Sequence, residues 1–385
     1  MAILLDGEPW KVSVKDMEDK IRQILSDKPG LRGRQIAKKL GLDKTDVNSY
    51  LSKQKGLFLK DENHCWFILK DDLIEVRFDG ATWIDGLSLD MSIKKSGSPL
   101  ESDCRSIHFI VPEGCKIFLE AAARLLAFSN QSALLGKLVT IDFNDCQDTL
   151  SYFNRIGFFE LLDKKVNIEP SRPVFSTATI YKGNSEAVYE FGEVDPTDLD
   201  ENIPQQLKKS FVHYAGEQYS QPAFTVLSEL FGNVWDHSKS PIPGYIALQR
   251  YKGYGGKRGV RPHIQTIVSD SGMGITGTLK PVLKERYPAL YNKFDFNDPK
   301  SGPLLVKELF EKGRISSSND EGRGLGLKRS GDVAASYDAK ISVREEKFEL
   351  KLVYKSGKLD EFEYVVDLPK MLGTHICFDF ILAKS

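Results

Sequence analysis

Cysteine is scarce in this sequence, and what there is does not pair. Cys65, Cys104, Cys115, Cys146 and Cys377 are odd in number and include no CxxC motif. A zinc site or a disulfide framework is therefore not expected, and a reducing cytoplasm is. Long apolar runs are missing too: no stretch approaches the roughly 20 apolar residues that span a bilayer. The opening MAILLDGEPW has no basic segment followed by a long apolar run, so neither a secretory leader nor membrane contact is expected. Internal repeats and low-complexity tracts are absent as well. A net charge of one sign is also lacking, since 53 Lys and Arg face 54 Asp and Glu. Their distribution is uneven, however. Residues 13–60 carry 12 basic and 6 acidic side chains, which leaves the rest of the chain acidic.

What is present is ordinary globular material. The chain is 41% hydrophobic and 28% charged, enough apolar matter for cores. At roughly 100–200 residues per domain, 385 residues imply two to four domains. The expected class is an α+β multidomain protein.

The segment SVKDMEDKIRQILSDKPG places Met17, Ile21, Ile24 and Leu25 at helical spacing before Pro29-Gly30. RGRQIAKKLGLDKTDVNSYLSKQKG reads as a short helix, a turn at Gly41 and a second helix opened by Thr45. LFLKDENHCWFIL reads as two strands around a polar turn. This order over residues 10–70 resembles winged helix-turn-helix DNA-binding domains. The resemblance implies that the helix from Lys44 to Lys53 enters a nucleic-acid groove. Lys38, Lys39, Lys44 and Lys53 would then neutralise phosphates, with Asn48 beside them. Asn48 and Trp66 fall where Z-form-binding winged helices keep a helix Asn and a wing Trp, although Ser52 stands in the place of their Tyr. A protein-docking winged helix is the other reading.

Residues 71–103 read as strands and a linker ending in the polar KKSGSPLESD. Over 104–170, RSIHFIVP is a strand, CKIFLEAAARLLAFSNQSALLG an apolar-rich helix and KLVTIDF a buried strand. NDCQDTLSYFNRIGFFELL is a further helix. Strand–helix–strand–helix implies a small parallel α/β layer. VTIDFNDCQDTLSYFNRIGF resembles the STAS-type modules found with some bacterial ATP-binding proteins, and so implies a protein partner. Asp142, Asp145 and Asp148 suggest either a metal cluster or capping of the following helix, and capping is the expectation. Residues 171–204 form a Pro- and Asp-rich connection.

The last segment, 205–385, holds the densest chemistry. In ELFGNVWDHS, Glu229, Asn233 and His237 recur every four residues beside apolar Leu230, Phe231, Val234 and Trp235. Successive members of that series are displaced by only ~40° around a helix, so the polar groups share one stripe. IQTIVSDSGMGITG is a strand ending in Asp270, followed by a turn with Gly272 and Gly274. LFEKGRISSSNDEGRGLGLKRS places Gly322, Gly324 and Gly326 at the mouth of a helix, and GTHICFDF starts a late strand with Gly373-Thr374. Singly, these motifs read as a polar pair in a helix bundle, a bulge or a linker.

Together and in this order, they resemble the GHKL ATP-binding fold of gyrase-type topoisomerases, Hsp90, histidine kinases and anti-sigma-factor kinases. The resemblance implies a C-terminal Bergerat α/β sandwich with ATP and Mg²⁺ as ligands. It implies that Asn233 offers Mg²⁺ an amide oxygen, and that Glu229 orients or deprotonates the attacking water. Asp270 would accept from the adenine exocyclic amine, supported by Thr374, while Gly272 and Gly274 let the backbone approach the base. Gly322, Gly324 and Gly326 would present N–H groups to phosphate at a helix N-terminus. Arg323, Lys328 and Arg329 are candidate phosphate or lid contacts. His237 is open between a structural and a site role; His263 and His375 read as structural.

His213 is the only His near the place of a kinase phosphoacceptor, and it lacks the acidic neighbour of that motif. No transducer domain is expected after the ATP fold. The expected function is an ATP-binding, ATP-hydrolysing regulator whose nucleotide state controls DNA or partner binding. A serine/threonine kinase of the anti-sigma-factor type and a non-hydrolysing ATP sensor are the alternatives. A homodimer is a candidate assembly.

Overall fold

Ile21 and Leu25 lie one turn apart on the first helix, α1 (Val14–Asp27), and both are buried. That apolar stripe is what the helix offers to a core. The computed structural model describes residues 14–54, 57–68, 73–79, 83–181, 188–194, 202–237, 240–252, 262–313 and 326–382. The chain divides into two compact units, Met1–Asp72 and Leu73–Ser385. Both mix helix and sheet, and none of the five cysteines forms a disulfide. Among the described residues, no helix is long and apolar enough to cross a membrane.

In the first unit, α1 is followed by β1 (Leu31–Arg32), α2 (Gly33–Leu40), α3 (Lys44–Lys53), β2 (Phe58–Lys60) and β3 (Cys65–Ile68). β3 pairs antiparallel with both β1 and β2. Ile36, Val47, Leu51, Phe58 and Trp66 join Ile21 and Leu25 in one core. The cap of α3 is Asp43 rather than Thr45: the Thr45 N–H donates to Asp43 Oδ1 at 2.6 Å. Aspartate is the stronger cap because its carboxylate also meets the positive end of the helix dipole.

The second unit opens with β4 (Leu73–Arg77), β5 (Trp83–Ile84), α4 (Gly86–Ser96), β6 (Ser106–Ile110) and β7 (Lys116–Ile117). It continues with α5 (Leu119–Leu134), β8 (Leu138–Asp142), α6 (Gln147–Arg155), α7 (Phe158–Leu161), β9 (Asn167–Glu169) and α8 (Thr177–Tyr181). β4, β6, β8 and β9 form a parallel sheet in that order. Strands added in sequence, with crossovers of one hand, place their connecting helices on one face. Ile107, Phe109, Val139, Ile141 and Ile168 are buried on that face, while Glu75, His108, Thr140, Asp142 and Glu169 line the other and keep some exposure. Of the strands and linker expected over 71–103, the strand is present, and a helix stands where a linker was expected. The segment supplies an edge strand and a packed helix, and the strand's parallel partner lies about thirty residues ahead in sequence. The expected capping role of Asp142, Asp145 and Asp148 is also not seen. No side chain caps α6, and Asp142 instead accepts the Asn144 N–H at 2.7 Å.

The remaining elements are β10 (Val188–Val194), α9 (Ile203–Ala215), α10 (Ser220–His237), β11 (Gly244–Tyr251), β12 (His263–Ser269) and α11 (Gly274–Arg286). After them come α12 (Pro288–Tyr291), α13 (Ser301–Lys312), α14 (Gly326–Ser336), β13 (Ala339–Glu345), β14 (Phe348–Lys355), β15 (Lys358–Val365) and β16 (Thr374–Ile381). Their strands form one antiparallel sheet, ordered β10-β11-β12-β16-β13-β14-β15. Side chains alternate across it. Ile264, Val268, Ile341, Val343, Ile376 and Phe378 face a core shared with α9, α10 and α14. Tyr245, Ala247, Ile267 and Cys377 face the opposite way, into the core of the parallel-sheet segment.

The expected boundary between a 104–170 module and a 205–385 domain therefore does not exist as a gap. α5 is buried along its length from Leu119 to Ala133, with one sheet on each side. A helix buried all round belongs to an interior.

Buried charges join the two sheets. Arg124 on α5 donates to Asp90 of α4 at 2.7 Å, to Glu120 at 2.6 Å and to Glu349 of β14 at 3.0 Å. Arg344 of β13 donates to the same Asp90 at 2.9 Å. All five side chains are nearly or wholly buried. Burial pushes the Glu120 carboxyl up, against the pull of Arg124 and with the push of Glu349. Arg124→Met leaves carboxylates buried without their cation. It should lower unfolding stability by about 3–5 kcal/mol in urea denaturation, and an unchanged midpoint would refute the network's role.

Candidate functional site

β12 ends at Ser269, and the chain turns through Asp270–Met273 before α11 begins at Gly274. Asp270 is buried, and both of its oxygens are held. The Gly272 N–H donates to Oδ1 at 2.7 Å and the Thr374 N–H to Oδ2 at 3.3 Å. The Asp270 N–H in turn donates to the Thr374 carbonyl at 3.0 Å. Gly373 has φ +88°, and a Cβ there would lie 2.0 Å from the Asp270 carbonyl oxygen. Glycine is thus required for the turn and the start of β16 to meet.

Glu345, at the end of β13, caps α11. It accepts from the Ile275 and Thr276 N–H groups at 2.6 and 3.1 Å. The Thr276 and Thr374 hydroxyls add bonds at 2.8 and 3.0 Å. A carboxylate there satisfies orphan N–H groups at the positive end of the helix. Burial pushes the Asp270 carboxyl up to about 6; the hydrogen bond from Gly272 resists and the charge of Glu345 adds to the rise. Burial raises the Glu345 carboxyl as well.

A second cluster forms where α10 packs on β12 and α14. Glu229 of α10 is half-buried and accepts from Arg329 Nη1 at 2.5 Å. A Cβ on Gly326, the first residue of α14, would lie 2.6 Å from Glu229 Oε2. The first turn of α14 therefore rests on Glu229. Lys328 is turned away from this cluster to Asp332, at 2.7–2.8 Å. Asn233 and His237 lie on α10, one and two turns beyond Glu229, with side chains outside the described residues; Gly322, Arg323 and Gly324 also lie outside them. The structure thus brings Asp270, Gly272, Gly274 and Thr374 together in one cluster, and Glu229 with Gly326 and Arg329 in another.

In the first unit Lys38, Lys44 and Lys53 are exposed. Asn48 is half-buried against the start of α2, where a Cβ on Gly33 would lie 1.9 Å from its Oδ1. Its contact is with the neighbouring helix. Trp66 is buried, with the Lys60 ammonium 5.6 Å from its ring centre.

Two histidines make internal contacts. His263 Nδ1 lies 2.6 Å from Asp379 Oδ1. His375 is buried, with Nε2 at 3.0 Å from the Leu372 carbonyl and Nδ1 at 3.0 Å from Ser269 Oγ. A carbonyl can only accept, so Nε2 carries the proton and Nδ1 accepts from the serine. Burial depresses its pKa to about 3, which keeps the ring neutral.

Glu345 and Gln131 are the residues that sequence reasoning missed at this site. The one available signal was an amide within the apolar-rich LLAFSNQSALL, for Gln131; Glu345 lies among other charges in AKISVREEKF and had none. No protein-family model matches the chain, and no curated protein matches it.

The raised carboxyl of Asp270 has a definite sign in stability. Its folded value lies above the unfolded 3.8, so the folded protein binds more protons between 3.8 and about 6. The stability it contributes is complete below the lower value and is lost as pH rises through the upper one. The unfolding free energy of the wild type minus that of Asp270→Asn should fall across this interval and level off above it. A flat difference would show an unshifted carboxyl.

Proposed function

We propose that the chain is a Mg-ATP-binding and ATP-hydrolysing regulator. In this reading Leu73–Ser385 carries a GHKL-type nucleotide site fused to a STAS-like α/β segment, and the N-terminal unit is a winged helix that binds DNA. The observation that carries the reading is the meeting of Asp270, Gly272 and Thr374. They come from two motifs about a hundred residues apart, and they join in one hydrogen-bonded cluster.

The groups fit a purine and a metal-bound triphosphate. Each Asp270 oxygen already accepts one backbone N–H and keeps a lone pair for a further donor. Asp270 therefore accepts from the exocyclic amine of adenine, and Thr374 with Glu345 holds the floor of that site. Asn233, one turn after Glu229 on α10, offers Mg²⁺ an oxygen ligand. Mg²⁺, when bound, neutralises phosphate charge. Gly326 opens α14 with backbone N–H groups suited to a phosphate, along with Gly322 and Gly324 before it. Glu229 orients the attacking water and takes its proton once Arg329 has released it.

Asp270→Asn and Asn233→Ala should each weaken ATP binding by about 10–100-fold in calorimetry. Glu229→Ala should keep binding while lowering phosphate release by ~100-fold. Undiminished binding in the first two variants would remove the site assignment. Transfer of γ-phosphate label to protein serine or threonine would favour a kinase, and bound ATP unchanged over hours would favour a sensor.

The nucleic-acid part stands on the exposed Lys38, Lys44 and Lys53, carried by a unit rich in basic residues. Lys44→Ala with Lys53→Ala should weaken duplex binding and reduce the salt slope by about one unit for each phosphate no longer neutralised. Equal affinity and slope in the variant, or no duplex binding at low salt by the wild type, would remove this part of the proposal.

A further inference from the structure

Gln131 sits near the end of α5, in the parallel-sheet half of the second unit, and is buried. Its amide makes three hydrogen bonds, all to the far side of the interface. Nε2 donates to Ser271 Oγ and to the Leu372 carbonyl, both at 2.9 Å. The Leu372 N–H donates to Oε1 at 2.8 Å. Both N–H groups of the side chain are thereby used. Ser271 follows Asp270 directly, and Leu372 lies two residues before Thr374, so one side chain spans the two segments that hold the Asp270 carboxylate.

Arg124 lies seven residues earlier, on the same face of α5, and is locked to Glu349 of β14. The helix is thus tied to the antiparallel sheet at two points two turns apart, and the second of these is the Asp270 turn.

We infer that Gln131 is a positioning residue for base recognition, setting the purine selectivity of the Asp270 turn from the α/β half of the unit. The inference rests on the adenine-site reading of Asp270. Without Gln131, the Ser271 hydroxyl and the Leu372 N–H lose this partner, the Leu372 carbonyl keeps the His375 ring, and the two segments are held at the turn by the Asp270–Thr374 bonds without the amide's clamp. Asp270 then loses its fixed direction, and the discrimination between an exocyclic amine and a carbonyl falls with it.

The test compares dissociation constants for Mg-ATP and Mg-GTP, by calorimetry on the full chain. The wild type should prefer ATP. Gln131→Leu should weaken ATP binding by about 10-fold or more and shrink the ATP:GTP preference, leaving GTP affinity nearly unchanged. Gln131→Glu still accepts from the Leu372 N–H and the Ser271 hydroxyl, and should recover part of the preference. Ser271→Ala, which removes one bond of the three, should shift the ratio the same way by less. If Gln131→Leu does not fold, Ser271→Ala and Gln131→Glu decide. A purely structural glutamine would lower the melting temperature and leave the ATP:GTP ratio at its wild-type value, which would overturn the inference. A wild type that binds neither nucleotide would overturn the adenine-site reading and the inference with it. A wild type that prefers ATP alongside variants that keep that preference would overturn the inference alone.

Discussion

The guanidinium of Arg124 is the point on which the second unit turns. It touches carboxylates from α4, α5 and β14, and one of them, Asp90, is shared with Arg344 of β13. Ions removed from water cost several kcal/mol each, and only close geometry on every oxygen offsets that cost. Such a network adds little net stability over an apolar core, but it tolerates no slippage. A shift of α5 by one residue would turn Arg124 away from Asp90 and Glu349, its partners on other elements, by about 100°. The register between the parallel and antiparallel sheets is fixed in this way, and the position of Gln131 follows from it.

At the Asp270 turn the chemistry is finely balanced. Burial and Glu345 oppose ionisation, while two N–H donors favour it. A ligand that donates a further hydrogen bond to the carboxylate stabilises the ionised form. Binding is then linked to proton release around pH 6 and weakens in acid. The cluster is shaped on the helix-bearing face of the sheet, whereas Arg344, Glu349 and His375 lie on the other. One sheet therefore carries the Asp270 cluster on one face and an internal clamp on the other.

Much of this was legible from periodicity. α1, α5, β8 and β12 have long or strongly apolar patterns and stand where the spacing puts them. The turn residues Asp270, Gly272 and Gly274 and the distant Thr374 were legible only through the order of several motifs, since each motif alone also reads as a bulge or a linker. β1, β5 and β7 were not, because two residues carry no period. The role of Leu73–Ser96 was hidden because its strand pairs with residues that follow a whole helix later. Asp43 was passed over for Thr45, although aspartate is the stronger cap. The fusion of two segments into one unit was equally hidden: the alternation of Ile264, Thr266 and Val268 with His263 and Gln265 marks one apolar face of β12, but not that the other face is covered too. Lys328, a cation in the glycine-rich motif, pairs with its own neighbour Asp332, a contact that its spacing on the helix also allowed.

β16 follows every other strand of the antiparallel sheet in the chain, yet it lies at that sheet's centre, between β12 and β13. On the ribosome, β10, β11 and β12 emerge with one edge open, and β13, β14 and β15 emerge as a separate meander. Neither half can close until Thr374–Ile381 has been made. α5 is finished more than a hundred residues before β11 and β12, the strands that cover one of its apolar flanks. Synthesis thus leaves first an apolar helix and then two unpaired strand edges uncovered, the conditions that favour mispairing between nascent chains. The same strand that starts with Thr374 is the one that ends this exposure, so a chain able to form the Asp270 cluster has already closed its sheet.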